Sequence, residues 1–527
     1  MVIAKVREGL MTDESLPGRT PLGEYDALSR FVEQVEHHLH DGNLPEVAKF
    51  LESDMAAAWY GFEPARTAEI LQKIPTQLNS STPILNAVMR LLTATSAGQF
   101  DDQGYLATVD SDDPHEMFVL SIFRMADLRL HGRSVEALEQ ADNLEEYLGK
   151  MRLLLDPQDG AELHTVVQIG ISAMLAGDFT RALTSFTHAQ MLSLVPRYAF
   201  LTRDALVKSA VIHACFGNST MARSLLQRAE KIPRTPSWIE DHIDSHREFA
   251  AILTSATSPQ EALDNLEAIS LHDIGEMWPF YIVAVHRLLE ASGYHDELDH
   301  RLEMFDAMPF PAVDTEGFSG SIIPLKRAML AMKTGREADA QAFLCRADPK
   351  LAYTRLIETA GHIYAGRTQQ ALSQATRLKT ETRGFRLLEI RRLSLLAAAQ
   401  YQSEALEECV ETLTVAAGLP RGLSAQEMEL FSPETPELAI DRVTSWPEDS
   451  GGPSAFLTGL PKPGHALTER EVEIIGQLAQ GYRRADIAKN LYISLNTLKT
   501  QLRSIYRKLE VASASDAIVG AQRRGII

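Results

Sequence analysis

Residues 467–509 read L-T-E-R-E-V-E-I-I-G-Q-L-A-Q-G-Y-R-R-A-D-I-A-K-N-L-Y-I-S-L-N-T-L-K-T-Q-L-R-S-I-Y-R-K-L, and their spacing predicts three helices joined by two tight turns. Thr468 stands as an N-cap, with Glu471 three residues on as its capping-box partner and Leu467 against Val472 as a hydrophobic staple. Val472, Ile475, Leu478 and Ala479 then form one stripe that runs to Gly481, a residue suited to a left-handed C-cap. Within 484–491, Ile487, Ala488 and Leu491 share a face. Ser494 can cap the third helix, where Leu498, Leu502, Ile505 and Leu509 recur at intervals of four, three and four. A further helix, about Ser513 to Arg524, offers Ala517, Ile518 and Ala521 to a neighbour and ends at Gly525.

The outer face of the third helix carries Asn496, Lys499, Thr500, Arg503 and Arg507. Long cations for phosphates and guanine edges, with short polar groups between them, are what major-groove reading needs. A basic outer face is by itself an ordinary solvated surface, so the distribution of charge matters. Pro461 to Ile527 holds 11 Lys plus Arg against 6 Asp plus Glu, a net +5; the chain as a whole is −20, which leaves −25 upstream. A basic module on an acidic body is the pattern of a chain whose one part meets a polyanion while the other avoids it.

The motifs L-T-E-R-E, A-Q-G, D-I-A-K-N-L, I-S-L-N-T-L-K, I-Y-R-K-L-E-V and R-R-G-I-I occur in that order over about an eighth of the chain. In these residues the segment resembles the LuxR/FixJ-type helix-turn-helix domain of bacterial transcription factors. The resemblance implies a four-helix domain that binds double-stranded DNA as a homodimer, with a recognition helix from Thr497 onward. It assigns base reading to Lys499, Thr500 and Arg503, and phosphate contact to Asn496, Thr497 and Arg507. Arg483 joins the phosphate set, because Arg483-Arg484 replaces the family's usual small and polar pair. Ala517, Ile518 and Ala521 fall where a second copy would be met. The family's customary His two residues after the recognition Lys is Gln501 here, and its customary Arg at the start of the last helix is Ala514.

Upstream, a frame recurs: Gly132-x4-Ala137, Gly177-x4-Ala182, Gly217-x4-Ala222, Gly335-x4-Ala340 and Gly366-x4-Ala371, with weaker copies at Ala262 with Leu266 and Ala405 with Cys409. Most neighbours lie about 31 to 45 residues apart, the range of helix-turn-helix solenoids. The Gly ends one helix, the Ala lets the next approach closely, and an apolar residue one turn on (Phe186, Leu226, Leu344) fills the groove. The fold class expected is therefore all-α: a tetratricopeptide-like helical-repeat solenoid, then the four-helix domain. Such a stack curves and offers a concave surface to a small molecule, a peptide or a protein partner. The stretch Phe280 to Val285 continues as a helix through Leu288 and Leu289, and Trp278, Phe280 and Tyr281 read as core before they read as a groove lining.

Domain limits follow from texture: a tail over 1–30, the solenoid over 31–419, a Pro/Gly-rich linker over 420–464 and the helix-turn-helix domain over 465–527. Within the linker, Met428 to Phe431 and Leu438 to Val443 carry enough apolar residues to dock on the last repeat. No run of about 18 apolar residues occurs, so no membrane span is expected. Cys215, Cys345 and Cys409 are scattered and odd in number, which reads as free core thiols in a reducing cytoplasm. Phosphate-loop, dinucleotide-binding, H-E-x-x-H and paired C-x-x-C motifs are missing, so no enzyme activity and no cofactor are expected. The chain resembles large regulators that carry a nucleotide-binding ATPase, helical repeats and a LuxR-type tail, without the ATPase. His37, His38, His40, His295 and His300 lack the Cys or carboxylate companions of a metal site. The resulting expectation is a bacterial, cytoplasmic transcription regulator whose solenoid senses a ligand or partner. The alternative is a protein-interaction scaffold with a degenerate DNA-binding tail.

Overall fold

In the computed structural model the described residues are 26–74, 114–151, 160–255, 257–447, 467–509, 511, 513–523 and 526–527. They fold into helices joined by turns and loops, with no strand among them. Among the described residues the body holds nine helix pairs: Ala27–His40 with Leu44–Ser53, Pro114–Leu130 with Ser134–Met151, Ala161–Ala176 with Phe179–Met191, Ala199–Cys215 with Ser219–Ala229, Ile239–Thr254 with Pro259–Glu267, Trp278–Ser292 with His295–Ala307, Gly317–Lys333 with Glu337–Leu344, Ala352–Tyr364 with Thr368–Arg377, and Arg386–Gln402 with Leu406–Ala417; Met55–Gly61 and Pro64–Lys73 follow the first pair. The first begins at Ala27, four residues before the limit read from texture, and residues 1–25 lie outside those described.

One local device closes most first helices. Gly132, Gly177, Gly335 and Gly366 all have positive φ, so the chain turns through the left-handed region where a side chain is disfavoured. At Gly366, its N–H donates to Ile363 O at 3.0 Å and the next N–H, of Arg367, to His362 O at 2.8 Å, a Schellman cap. The frame also recurs where the sequence pattern does not reveal it. Gly42 and Gly293 close helices in the same way, with Val47 and Leu298 buried where the other repeats place Ala. In the last pair Glu404 takes the left-handed turn at φ 61°, and Cys409 occupies the small position, one helical turn after the Ala405 that the sequence frame places there. Gly217 departs from the rule and has no positive φ, although Ala222 is still buried.

The stack curves far enough to meet itself. Phe179 stacks on Phe216 with ring centroids 4.8 Å apart and meets Phe318 at 5.3 Å and Phe385 at 6.0 Å. Phe280 lies 5.0 Å from Phe318, and Leu387 N donates to Phe216 O at 3.0 Å. These rings belong to repeats far apart in sequence, so the inner side of the curve is largely filled with aromatic core. Trp278, Phe280 and Tyr281 are all buried in it. Packing is tight locally as well: the loop before Gly317–Lys333 folds back so that a Cβ on Gly320 would sit 1.9 Å from the Val313 carbonyl oxygen. Backbone cannot yield as a side chain does, so Gly320→Ala is expected to destabilise the body by about 1–3 kcal/mol. A lowered urea midpoint with an unchanged slope would register it.

The Pro-rich stretch after 420 is partly folded. Ala425–Met428 and Glu434–Arg442 are helices, and Met428, Phe431, Ala439, Val443 and Trp446 are buried in one cluster with Cys409 and Leu413 of the last pair. Residues 448–466 lie outside those described. Cys215 and Cys409 are buried, whereas Cys345 is exposed at the end of its short helix, so it is not the core thiol that its apolar neighbourhood in sequence implied. No described helix is long and apolar enough to cross a membrane, and no group of three or more His, Cys, Asp or Glu able to hold a metal occurs among the described residues.

Candidate nucleic-acid interface

Four helices form the C-terminal domain: Glu469–Ala479, Arg484–Asn490, Leu495–Leu509 and Ala514–Arg523. The first begins at the expected capping box. Thr468 N donates to Glu471 Oε2 at 2.7 Å and Glu471 N donates to Thr468 Oγ1 at 3.3 Å. The same carboxylate accepts from Lys508 Nζ at 2.7 Å, which ties the start of the first helix to the end of the third. Gly481, at φ 83°, ends the first helix with a Schellman cap in which Tyr482 N donates to Gln477 O at 3.1 Å. The second helix ends in the same cap, but a tyrosine occupies the left-handed position: Tyr492 has φ 54° and is 96% exposed, while Ile493 N donates to Ala488 O at 2.9 Å. Nothing in its residue type signals that conformation. Ser494 then caps the third helix by accepting from Thr497 N at 3.0 Å.

Leu498, Leu502, Ile505 and Leu509 are buried together with Ile474, Ile475, Ile487 and Leu491, so the apolar stripe faces the domain core. The opposite face is left to solvent. Asn496, Thr497, Lys499, Thr500, Arg503 and Arg507 are all exposed with the body in place, as are Arg483 and Arg484 before the second helix. Thr500 Oγ1 donates to Asn496 O at 3.1 Å, which holds its side chain against the helix. The cations divide into two groups. Lys508 and Arg470 are tied down internally, to Glu471 at 2.7 Å and Glu473 at 2.6 Å. Arg483, Arg484, Lys499, Arg503 and Arg507 have no carboxylate within 4 Å among the described residues. These five present uncompensated charge to solvent.

Glu471 links the fold of this face to pH. Burial would raise its carboxyl, but donation from Lys508, the Thr468 amide and Ser504 outweighs burial and holds it below its ordinary value of 4.5. A depressed folded value stabilises the domain fully above the unfolded one, and that stabilisation fades as pH falls through the folded value. Glu471→Gln is therefore expected to cost roughly 1.5–3 kcal/mol at neutral pH. Thermal unfolding as a function of pH checks this: the gap from the parent protein should narrow in acid.

The last helix meets the body. Ala514–Arg523 lies against Glu337–Leu344, and Ala365, just after Ala352–Tyr364, is buried in the same cluster as the core of the C-terminal domain. Ala517 and Ala521 have no exposed surface and belong to that cluster; Ile518 is half-buried, and Val519 is the exposed apolar residue of the helix at 44%. Two of the three residues expected to meet a second copy are thus core. Beside this contact opens a cleft of about 910 Å³, whose walls include Glu337, Gln341, Lys350, Glu358 and His362. Burial and the nearby Arg367 push the His362 imidazole down to about 4.

Residues 465–521 match the family model described as bacterial regulatory proteins, luxR family. Similar proteins include an uncharacterized transcriptional regulatory protein, YxjL, of Bacillus subtilis (strain 168), 40% identical over 61 residues. Another is the HTH-type transcriptional regulator MalT of Yersinia enterocolitica serotype O:8 / biotype 1B (strain NCTC 13174 / 8081), 42% identical over 57 residues. The alignments take in 12% and 11% of this chain and 28% and 6% of those two proteins respectively. The C-terminal segment is a luxR-family helix-turn-helix domain.

Proposed function

We propose that the chain is a sequence-specific DNA-binding transcription regulator whose helical body controls how the C-terminal domain is presented. The observation that carries this reading is the row of uncompensated cations on the outer face of the third helix and the turn before the second, on a domain of the luxR family. In this reading Lys499, Thr500 and Arg503 meet base edges in the major groove, and Arg483, Asn496, Thr497 and Arg507 meet phosphates.

The placement of the domain gives the control its form. The recognition face stays open to solvent while the last helix is engaged with the body. Restraint therefore acts on the approach of a second copy through Ile518 and Val519, rather than on reading by a single copy. A ligand or partner that loosens the contact at Glu337–Leu344 and Ala365 frees two domains to occupy half-sites about one DNA turn apart. The cleft beside the contact supports such an input.

The phosphate set is tested by salt dependence. Arg483→Ala and Arg507→Ala are each expected to weaken binding across all sequences and to lower the slope of log affinity against log salt by about one. Fluorescence anisotropy on cognate and unrelated duplexes measures both. A slope unchanged by either substitution would place DNA on another surface.

A further inference from the structure

The interior of the body holds a cationic cluster that DNA binding leaves unused. Lys326 is 4% exposed, and its Nζ donates to Tyr353 Oη at 2.6 Å. That hydroxyl also lies 3.8 Å from Met329 Sδ, and Arg391 Nη1 reaches the same sulfur at 3.8 Å from the other side. Arg287 donates to the carbonyls of Ala214 and Cys215, and Lys333 lies 3.5 Å from Glu290. Glu290, itself 3.6 Å from His286, is the one carboxylate within 4 Å of any of these four cations among the described residues. Burial and the four cations hold the His286 imidazole well below its ordinary value. Burial alone would raise the Tyr353 hydroxyl; Lys326 and Arg391 bring it below its ordinary value instead.

Against this cluster lies a cavity of about 50 Å³, with Lys333, Arg391, Glu290, Met329, Leu356 and Tyr364 in its walls, so that its two cations face one carboxylate. A water needs roughly 10–15 Å³ of such space, so the cavity has the size of a small charged group. Lys326 is buried, Arg287, Lys333 and Arg391 are half-buried, and Glu290 is the one carboxylate near the four among the described residues; positive charge in such excess is costly out of water and points to a counter-charge that arrives from outside. The Met329 thioether is a weak acceptor placed between a guanidinium and a phenol. A carboxylate or phosphate oxygen there would receive charge-assisted hydrogen bonds instead.

We propose that this cavity binds the carboxylate or phosphate group of a small anionic effector. Arg391 and Lys333 are its direct partners, Lys326 acts through Tyr353, and the flexible Met329 side chain moves aside to admit it. The Ala352–Tyr364 helix supplies Tyr353, Leu356 and Tyr364, and Ala365, which follows it directly, is the body residue buried with the C-terminal domain. Occupancy is thus positioned to alter that contact. This second step rests on the reading that the body restrains the DNA-binding domain; the binding step does not.

The test is titration of the full-length protein with inorganic phosphate and, separately, with succinate, against sodium chloride at matched ionic strength, by calorimetry and by thermal unfolding. The expected result is saturable binding of one or both, with an unfolding midpoint above that in chloride; which anion binds tells a phosphate effector from a carboxylate one. Arg391→Met and Lys333→Met should each weaken binding by about tenfold or more, while Met329→Ala should bind at least as tightly as the parent. Both anions behaving like chloride, or binding unchanged in Arg391→Met with its unliganded midpoint intact, overturns the site. DNA affinity measured on the same samples separates the two readings. Loss of the anion site with DNA binding intact removes only the effector, whereas anion binding that leaves DNA affinity unchanged removes the coupling.

Discussion

Alanine at Lys499 or at Arg503 is expected to weaken binding to a cognate site by roughly 1–3 kcal/mol each and to relax base preference at the position each one reads. The expectation follows from what these side chains lack inside the protein. Both are exposed on the face opposite Leu498 and Leu502, and neither has a carboxylate within 4 Å among the described residues. Their removal therefore takes little from the fold, and any loss of affinity is loss of contact with DNA. Lys508 is the internal control on the same helix: it is 2.7 Å from the buried Glu471, so alanine there should lower the unfolding midpoint of the domain before it changes base preference. A binding-site selection with each variant measures the difference. An unchanged preference in both Lys499→Ala and Arg503→Ala would exclude the docking geometry.

Glu240→Ala is expected to destabilise the body by roughly 3–5 kcal/mol, the range for removing one member of a buried ion pair. Glu240 has no exposed surface and pairs with Arg203, itself 5% exposed. It also accepts from Thr235 N at 2.7 Å and Thr235 Oγ1 at 3.2 Å, so its loss takes a partner from Arg203 and leaves two donors without this acceptor. Arg203 keeps one further partner, Asp244, which is only partly buried. Replacing Arg203 and Glu240 together by apolar residues of similar volume should recover much of the loss, since it removes the desolvated charge as well as its partner. Denaturant unfolding of the single and double variants tests both statements, and a single variant within about 0.5 kcal/mol of the parent would show the pair to be energetically silent.

What the sequence made legible was local. The Thr468–Glu471 box, the Gly481 turn, the Ser494 cap and the stripe from Leu498 to Leu509 all depend on residues within one or two helical turns of one another, and each is present in the structure. The recurring glycine turns were legible for the same reason. Repeats that place Val47, Leu298 or Cys409 in the small position escaped a pattern built on alanine, although a buried apolar residue five positions after a left-handed turn is the physical requirement. Tyr492 escaped because its left-handed backbone is imposed by the cap geometry around it. The closing of the stack, where Phe179 meets Phe318 and Phe385, and the ion pair of Arg203 with Glu240 join residues too far apart for periodicity to register. Within the Pro-rich stretch after 420, the apolar runs Met428 to Phe431 and Leu438 to Val443 were legible as segments that dock on the last repeat, and Phe431 and Val443 are buried there; Trp446, beside Pro447 and outside either run, joins them unannounced. Burial of Ala517 and Ala521 likewise depends on what stands opposite the last helix, which spacing along that helix cannot reveal.

The most direct test of the central claim is selection of genomic DNA fragments, at matched salt, by the full-length protein and in parallel by the segment Ser454–Ile527. One shared sequence motif is expected in both pools, with an inverted pair enriched more strongly by the segment, whose last helix is free of the body. Recovery of fragments without regard to sequence in both pools would contradict that claim, and would leave the helical body as a protein-interaction scaffold with a tail that no longer reads DNA.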